Sequence, residues 1–163
     1  MQYISLGNSE YFSISPGVFV PSKEEENWGD AVAYVVPGDF ASGQEVAYVY
    51  QTKRMLSQIG VAKAKNKISP IGTVLLQRSG PRVPRIGILK VPSVTSHYFF
   101  GITINDQKPL IPDYVARMLN SAKDQISYFS VGSVMKNLRR DTLLSIQIPM
   151  VPFEEQTTIL GQR

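Results

Sequence analysis

His97 is the only imidazole in this 163-residue chain, and cysteine is absent. Thiol catalysis, disulfide frameworks and cysteine-based zinc sites are therefore excluded together, and a multi-histidine metal site cannot be assembled. A Ser-His-Asp triad would have to use His97, and no Gly-x-Ser-x-Gly elbow accompanies it. Glu24, Glu25 and Glu26 supply carboxylates, but three adjacent acids read best as a solvated loop. Neither Gly-x-Gly-x-x-Gly, a P-loop nor His-Glu-x-x-His is present. No cofactor and no metal is expected.

The chemistry that the sequence does offer is phosphate and base recognition. Gln77–Arg85 carries Arg78, Ser79, Arg82 and Arg85 together with Pro81 and Pro84. A guanidinium is a planar fork that matches phosphate or guanine edges bidentately. Prolines limit the loop's freedom, so less entropy is lost when it orders on a target. A hairpin tip with solvated arginines would have the same composition. Ser96 and His97 stand just before the next apolar run. A second polar loop, 130–140, holds Gly132, Ser133, Lys136, Arg139 and Arg140. It suits phosphate contacts and equally an ordinary helix-to-strand connection.

Charge is unevenly spread. The net charge is only +4, yet residues 46–105 contain Lys53, Arg54, Lys63, Lys65, Lys67, Arg78, Arg82, Arg85 and Lys90 and no acid. Residues 1–45 hold seven acids against Lys23 alone. A basic block of this kind attracts polyanions and speeds their encounter. The alternative is a solvated face folded against the acids of the first segment. On the first reading Lys63, Lys65, Lys67, Arg78, Arg82 and Arg85 share one concave face turned away from those acids.

The elements that must position these groups are short, because eleven prolines and twelve glycines are scattered along the chain. Apolar, β-branched and aromatic runs predict strands at 31–36, 46–51, 73–78, 86–91, 98–104 and 144–148. One long helix is expected from Pro112 to about Tyr128. Val115, Leu119, Ala122, Ile126 and Phe129 form its apolar stripe, and Pro112 and Asp113 suit its start. A shorter helix is expected around 53–59. Another begins near Glu154. The fold class is α+β: one domain with a twisted, mostly β core. No apolar run is long enough to span a bilayer, and no signal-peptide pattern opens the chain, so a cytoplasmic domain without membrane contact is expected.

The stretch Leu143–Gln156 closely resembles the end of a target recognition domain in type I restriction–modification specificity subunits. The shared features are a strand, Ile148-Pro149, the apolar turn Val151-Pro152-Phe153, and Glu155-Gln156 opening a long helix. Leu6-Gly7, Phe12–Gly17 and Val36–Phe40 followed by Ser42-Gly43 look like the family's opening. Ile71–Leu76 with Gly80 is similar to its central Gly-Asp-Ile-Leu stretch, Tyr114–Leu119 to its Tyr-Leu helix, and Gly132-Ser133-Val134 to its Gly-Ser loop. Thr73 replaces the usual Asp, Arg82–Gly87 replaces a short Ile-Gly-Lys stretch, and Ser96-His97 replaces an Asn-Gln pair.

The resemblance implies that residues 1–152 read one half of a split double-stranded DNA target and that 153–163 begin a spacer helix. Phe153, Glu155, Gln156 and Ile159 would belong to that helix. It also implies as partners a methyltransferase subunit, a restriction subunit in the full complex, and a second recognition domain in the same or another chain. Catalysis would lie in those partners, and the Asn-Pro-Pro-Tyr motif of methyltransferases is indeed absent. DNA contacts are expected from Lys63, Lys65, Lys67, Arg78, Ser79, Arg82, Arg85, Ser96, His97, Ser133, Lys136 and Arg139. A small cytoplasmic hydrolase using His97 and a carboxylate, or an RNA-binding module, are the alternatives. The tail from Glu154 is expected to pack little on its own domain, since a helix so short has no stripe to bury.

Overall fold

Phe99 and Phe100 are consecutive, and both are buried. Neighbouring strand residues point to opposite faces, so the sheet that holds them must be covered on both sides. The computed structural model, which describes residues 2–41, 43–132 and 136–161, shows how. The central sheet runs β2 (Phe12–Pro16), β10 (Phe99–Ile104), β6 (Val74–Gln77), β8 (Ile86–Leu89), β4 (Val46–Val49). Its neighbours are antiparallel except β4 and β8. On one face Phe100, Ile102, Val74, Leu76, Ile86 and Ile88 pack against helix α2 (Pro112–Ser121), which contributes Tyr114, Val115, Ala116 and Leu119. On the other, Phe99, Leu75 and Leu89 meet Val35 and Phe40. Each fully buried Phe, Leu or Ile contributes roughly 1.5–3 kcal/mol, and the two-sided arrangement lets every residue of a strand such as Val74–Gln77 be buried.

A three-stranded sheet orders β5 (Arg54–Leu56), β3 (Trp28–Val35) and β9 (Ser93–Thr95), with β3 and β9 parallel. Helix α1 (Gln58–Lys63) packs on it through Val61. Two further ribbons pair β1 (Gln2–Ser5) with β12 (Gln147–Met150) and β7 (Ser79–Gly80) with β11 (Lys136–Asn137). The fold is α+β, as expected.

Several boundaries differ from the sequence reading, each for a local reason. The long helix divides into α2 and α3 (Lys123–Tyr128). There the Ser121 hydroxyl donates back to the Arg117 carbonyl at 3.0 Å, an arrangement that bends helices. The short helix lies later than 53–59. Arg54–Leu56 is taken up by pairing with β3, and Ser57 caps α1 by accepting from the Gly60 N–H at 3.1 Å. The expected strand at 144–148 starts late, because Leu143 is buried in helix α4 (Arg140–Ser145) and pairing with β1 begins at Gln147.

Tyr48 on β4 donates to the Asp113 carboxylate in the first turn of α2 at 2.7 Å. Burial and then this bond push the Tyr48 hydroxyl up to about 12; burial also raises Tyr34 and Tyr114. With the folded value raised above an unfolded value of about 10, the contribution of the protonated phenol is whole below about pH 10. It is lost as pH climbs toward about 12. Tyr48→Phe should therefore make the fall of urea stability between those pH values shallower. An unchanged slope would contradict the bond.

Candidate nucleic-acid interface

Arg78 is where the separate candidate segments meet. Its N–H donates to the Tyr98 carbonyl at 2.8 Å, and its carbonyl accepts from the Leu138 N–H at 2.6 Å. The first bond sets the arginine loop beside Ser96–Tyr98. The second sets it beside the loop at 130–140, where Gly80 pairs with Lys136 and Ser79 with Asn137. Gly80 has φ +126°, a conformation that favours glycine and turns the chain from β7 into the proline-braced tip. Three stretches far apart in sequence thus form one surface.

Within it the side chains differ. Arg82 is exposed. Arg85 is half-buried, lies over the Phe40 ring at 5.2 Å, and reaches the carbonyls of Phe40 and Ala41 at 3.4 Å. Burial, and then the Arg82 charge, lower its pKa, yet a guanidinium stays charged at any ordinary pH. Arg78 is half-buried, 4.3 Å over the Phe100 ring. Ser79 is half-buried and its carbonyl accepts from Gln77 Nε2 at 3.0 Å. Arg139 is exposed at the start of α4. Ser133 lies outside the described residues, and of Lys136 the backbone pairing is what is described.

Three expectations need correction. Lys63 does not face away from the acids: its ammonium sits 2.8 Å from Glu24 and 2.7 Å from Glu26. These bonds raise the Lys63 pKa and lower that of Glu24, and as an exposed pair they contribute little to stability. Ser96 is only 1% exposed. Its N–H is bonded to the Val35 carbonyl at 2.9 Å, so Ser96 does not stand on the outer surface beside the arginine loop, and its side chain lines an inward cleft instead. His97 is exposed, but its neighbours are the rings of Phe19 and Tyr98, and no described carboxylate bonds to it. The arrangement that a His97-based hydrolase requires is not formed. Lys65 and Lys67 follow α1 on the three-stranded sheet and are exposed. Among the described residues, Lys63 is the only one of the nine bases at 46–105 in an ion pair; most of the block stays unneutralised.

The family model for the type I restriction modification DNA specificity domain matches residues 12–161. The chain belongs to this family. Among curated relatives the specificity domain is similar to the type I restriction enzyme MjaIX specificity subunit of Methanocaldococcus jannaschii. The two are 26% identical over 148 residues, covering 90% of this chain and 33% of the relative. It is also similar to the putative MjaX specificity subunit of the same organism, 26% identical over 159 residues, covering 97% and 34%. The specificity domain spans about one third of the length of both. Among solved structures, a chain from a study of type I R-M complex assembly and conformational transition superposes with a TM-score of 0.71. The pair is 17% identical, and the match covers 98% of this chain and 36% of that one. The HsdS subunit of Thermoanaerobacter tengcongensis gives 0.67 at 19% identity, covering 98% and 35%. These two likenesses concern the fold.

The specificity domain also holds a feature that the sequence reading missed. Gly17 approaches the chain so closely that a Cβ there would lie 1.7 Å from the Ser96 carbonyl. The Gly17 and Val18 N–H groups bond the Phe99 and Thr95 carbonyls at 3.0 and 2.8 Å. That contact brings Phe19 beside His97 and Tyr98, opposite Trp28 and Tyr34, around a cleft of about 330 Å³. Lys53 and Arg54 also line it, Arg54 lying 3.6 Å over the Trp28 ring. The one available signal was Phe19-Val20-Pro21, an apolar run outside any strand.

The helix after Pro152 is confirmed as α5 (Phe153–Leu160), and it packs more firmly than expected. Gln156 is 0% exposed. Its Oε1 accepts from the Ile111 N–H at 3.0 Å, and its Nε2 donates to the Pro109 and Val151 carbonyls at 2.8 and 3.1 Å. Arg117 donates to the Ile159 carbonyl at 2.7 Å. Phe153 and Glu155 are exposed, and Ile159 is half-buried. Gln156 therefore serves its own domain and is not free for a partner helix. No described helix is long and apolar enough to cross a membrane.

Proposed function

We propose that this chain reads one half of a bipartite duplex target for a type I restriction–modification complex. The observation that carries the reading is the meeting at Arg78 of the arginine loop, the Ser96–Tyr98 segment and the β11–Leu138 stretch, in a chain of the DNA specificity family. Arg82 and Arg85 discriminate bases, His97 assists from the neighbouring segment, and Lys65, Lys67, Lys136 and Arg139 hold phosphates. A methyltransferase subunit and, in the full complex, a restriction subunit are its partners, with a second recognition domain for the other half-site. Residues 1–152 form the recognition domain and 153–163 the start of the spacer, docked through Gln156.

Selection from a pool of randomised duplexes on the immobilised chain should enrich one short sequence. Affinity for it should fall linearly with the logarithm of salt concentration. Arg139→Ala should weaken that sequence and random duplex alike and reduce the salt slope by about one. Enrichment of no sequence at low salt would refute the reading.

A further inference from the structure

We propose that the cleft between Phe19, Trp28 and Tyr98 receives an unstacked base of a DNA strand. The inference rests on the reading of this chain as a DNA-binding domain, and concerns a site apart from the arginine loop. Three features point to a planar ring attached to an anion. First, the walls are aromatic: Phe19 is 64% exposed and Tyr98 39% exposed, beside the half-buried Trp28, so ring surface is left uncovered inside a concave site. Base–aromatic stacking tolerates any base, because every base has a π-face. Second, Lys53 and Arg54 line the cleft and no carboxylate does. Neither cation is in an ion pair among the described residues, so a phosphate attached to the stacked base would meet uncompensated positive charge. Third, Ser96 lines the same cleft, and its hydroxyl is buried without a hydrogen-bond partner. A buried hydroxyl left unsatisfied is costly, and the donor–acceptor edge of a base is the kind of group that relieves it.

The occupant is a base out of its stack, because a paired base inside a duplex shows only its edges. It reaches the cleft from the duplex held at Arg78, since the Arg78 N–H is bonded to the Tyr98 carbonyl and the two sites share that strand end.

Trp28 is the only tryptophan in the chain, so indole fluorescence reports on the cleft directly. Four probes are titrated into the whole chain: a fully paired duplex, the same duplex with one extra unpaired base, the corresponding single strand, and free deoxyadenosine monophosphate. Duplex binding is followed in parallel by anisotropy. The expected result is saturable quenching of Trp28 by the extra-base duplex and by the single strand, with little change for the paired duplex even when anisotropy shows it bound. Phe19→Ala removes an exposed ring and leaves the buried core intact; it should cut the preference for the extra-base duplex about tenfold while paired-duplex affinity is kept. Equal quenching by the paired duplex overturns the proposal, as does a preference that survives the substitution. Quenching by the free nucleotide but not by the extra-base duplex also overturns it, and assigns the cleft to a soluble nucleotide. A silent cleft with intact salt-dependent duplex binding removes this proposal alone; loss of duplex binding altogether removes the DNA-reading function with it.

Discussion

When a specificity subunit receives this domain in place of one of its own, its methyltransferase partner should methylate a new half-site and keep the other. Recognition in a split target is modular when each half is read by its own surface, and the proposed reading surface is closed within the domain. The three segments that meet at Arg78 all come from this chain. Within the swapped subunit, Arg82→Ala should have the largest effect. Arg82 is exposed at the tip and makes no hydrogen bond or ion pair among the described residues, so its truncation reports chiefly on DNA. A bidentate guanidinium–base contact is worth roughly 1–3 kcal/mol of discrimination, which is about 5- to 150-fold at the correct site and far less on random duplex. Arg85→Ala should act in the same direction but mix two effects, because Arg85 also lies over Phe40 and reaches the Phe40 and Ala41 carbonyls. Sequencing that detects methylated adenine or cytosine across a genome measures both the site and its occupancy. If the arginine variants leave the half-site and its occupancy unchanged, the loop is not the reader. If the swap itself leaves the methylated sequence unchanged, the chain does not set specificity.

What the sequence disclosed followed from how local each signal was. The arginine loop was legible because its charge and its prolines lie within nine residues, and the main strands because their apolar runs are continuous. The ending around Pro152 was legible from a motif. Pairings across long separations were not. Lys63 meets Glu24 and Glu26 from 39 and 37 residues away, a contact that depends on where α1 lands beside β3. Ser96 looks like a loop serine in sequence, yet the parallel pairing of β3 with β9 ends beside it and buries it. The aromatic cleft was invisible for the same reason, since its rings come from Phe19, Trp28, Tyr34 and His97-Tyr98, which lie far apart in the sequence. Gln156 carried a signal as part of a motif, but the motif said only that a helix begins there. The task of that side chain became visible once Pro109–Ile111 was seen to lie against it.

Gln156 should be the most sensitive single position outside the apolar core. Its amide joins α5 to the turn before α2 and to the end of β12, and each of its three bonds satisfies a backbone group that has no other partner among the described residues. Gln156→Ala opens a gap and strips those groups together, at a cost of about 2–3 kcal/mol, readable as a lower urea midpoint. Gln156→Glu separates bonding from packing. The carboxyl keeps the volume and can still accept from the Ile111 N–H, but when ionised it offers no donor to the Pro109 and Val151 carbonyls and is buried as a charge. Its folded pKa is therefore raised above the unfolded value of about 4.3. The stability that its protonated form contributes is present below that value and disappears as pH rises through the raised one. Gln156→Glu should thus approach the parent protein at about pH 4 and fall well below it at neutral pH, a step that the non-titrating amide of the parent does not supply. The substitution is remote from Arg78, so duplex affinity of the folded domain should hold while methylation in the assembled complex falls, because α5 sets the direction in which the proposed spacer leaves the domain. Equal stability of Gln156→Glu and the parent at neutral pH would mean that these bonds do not fix the helix, and that the angle of the spacer is set elsewhere.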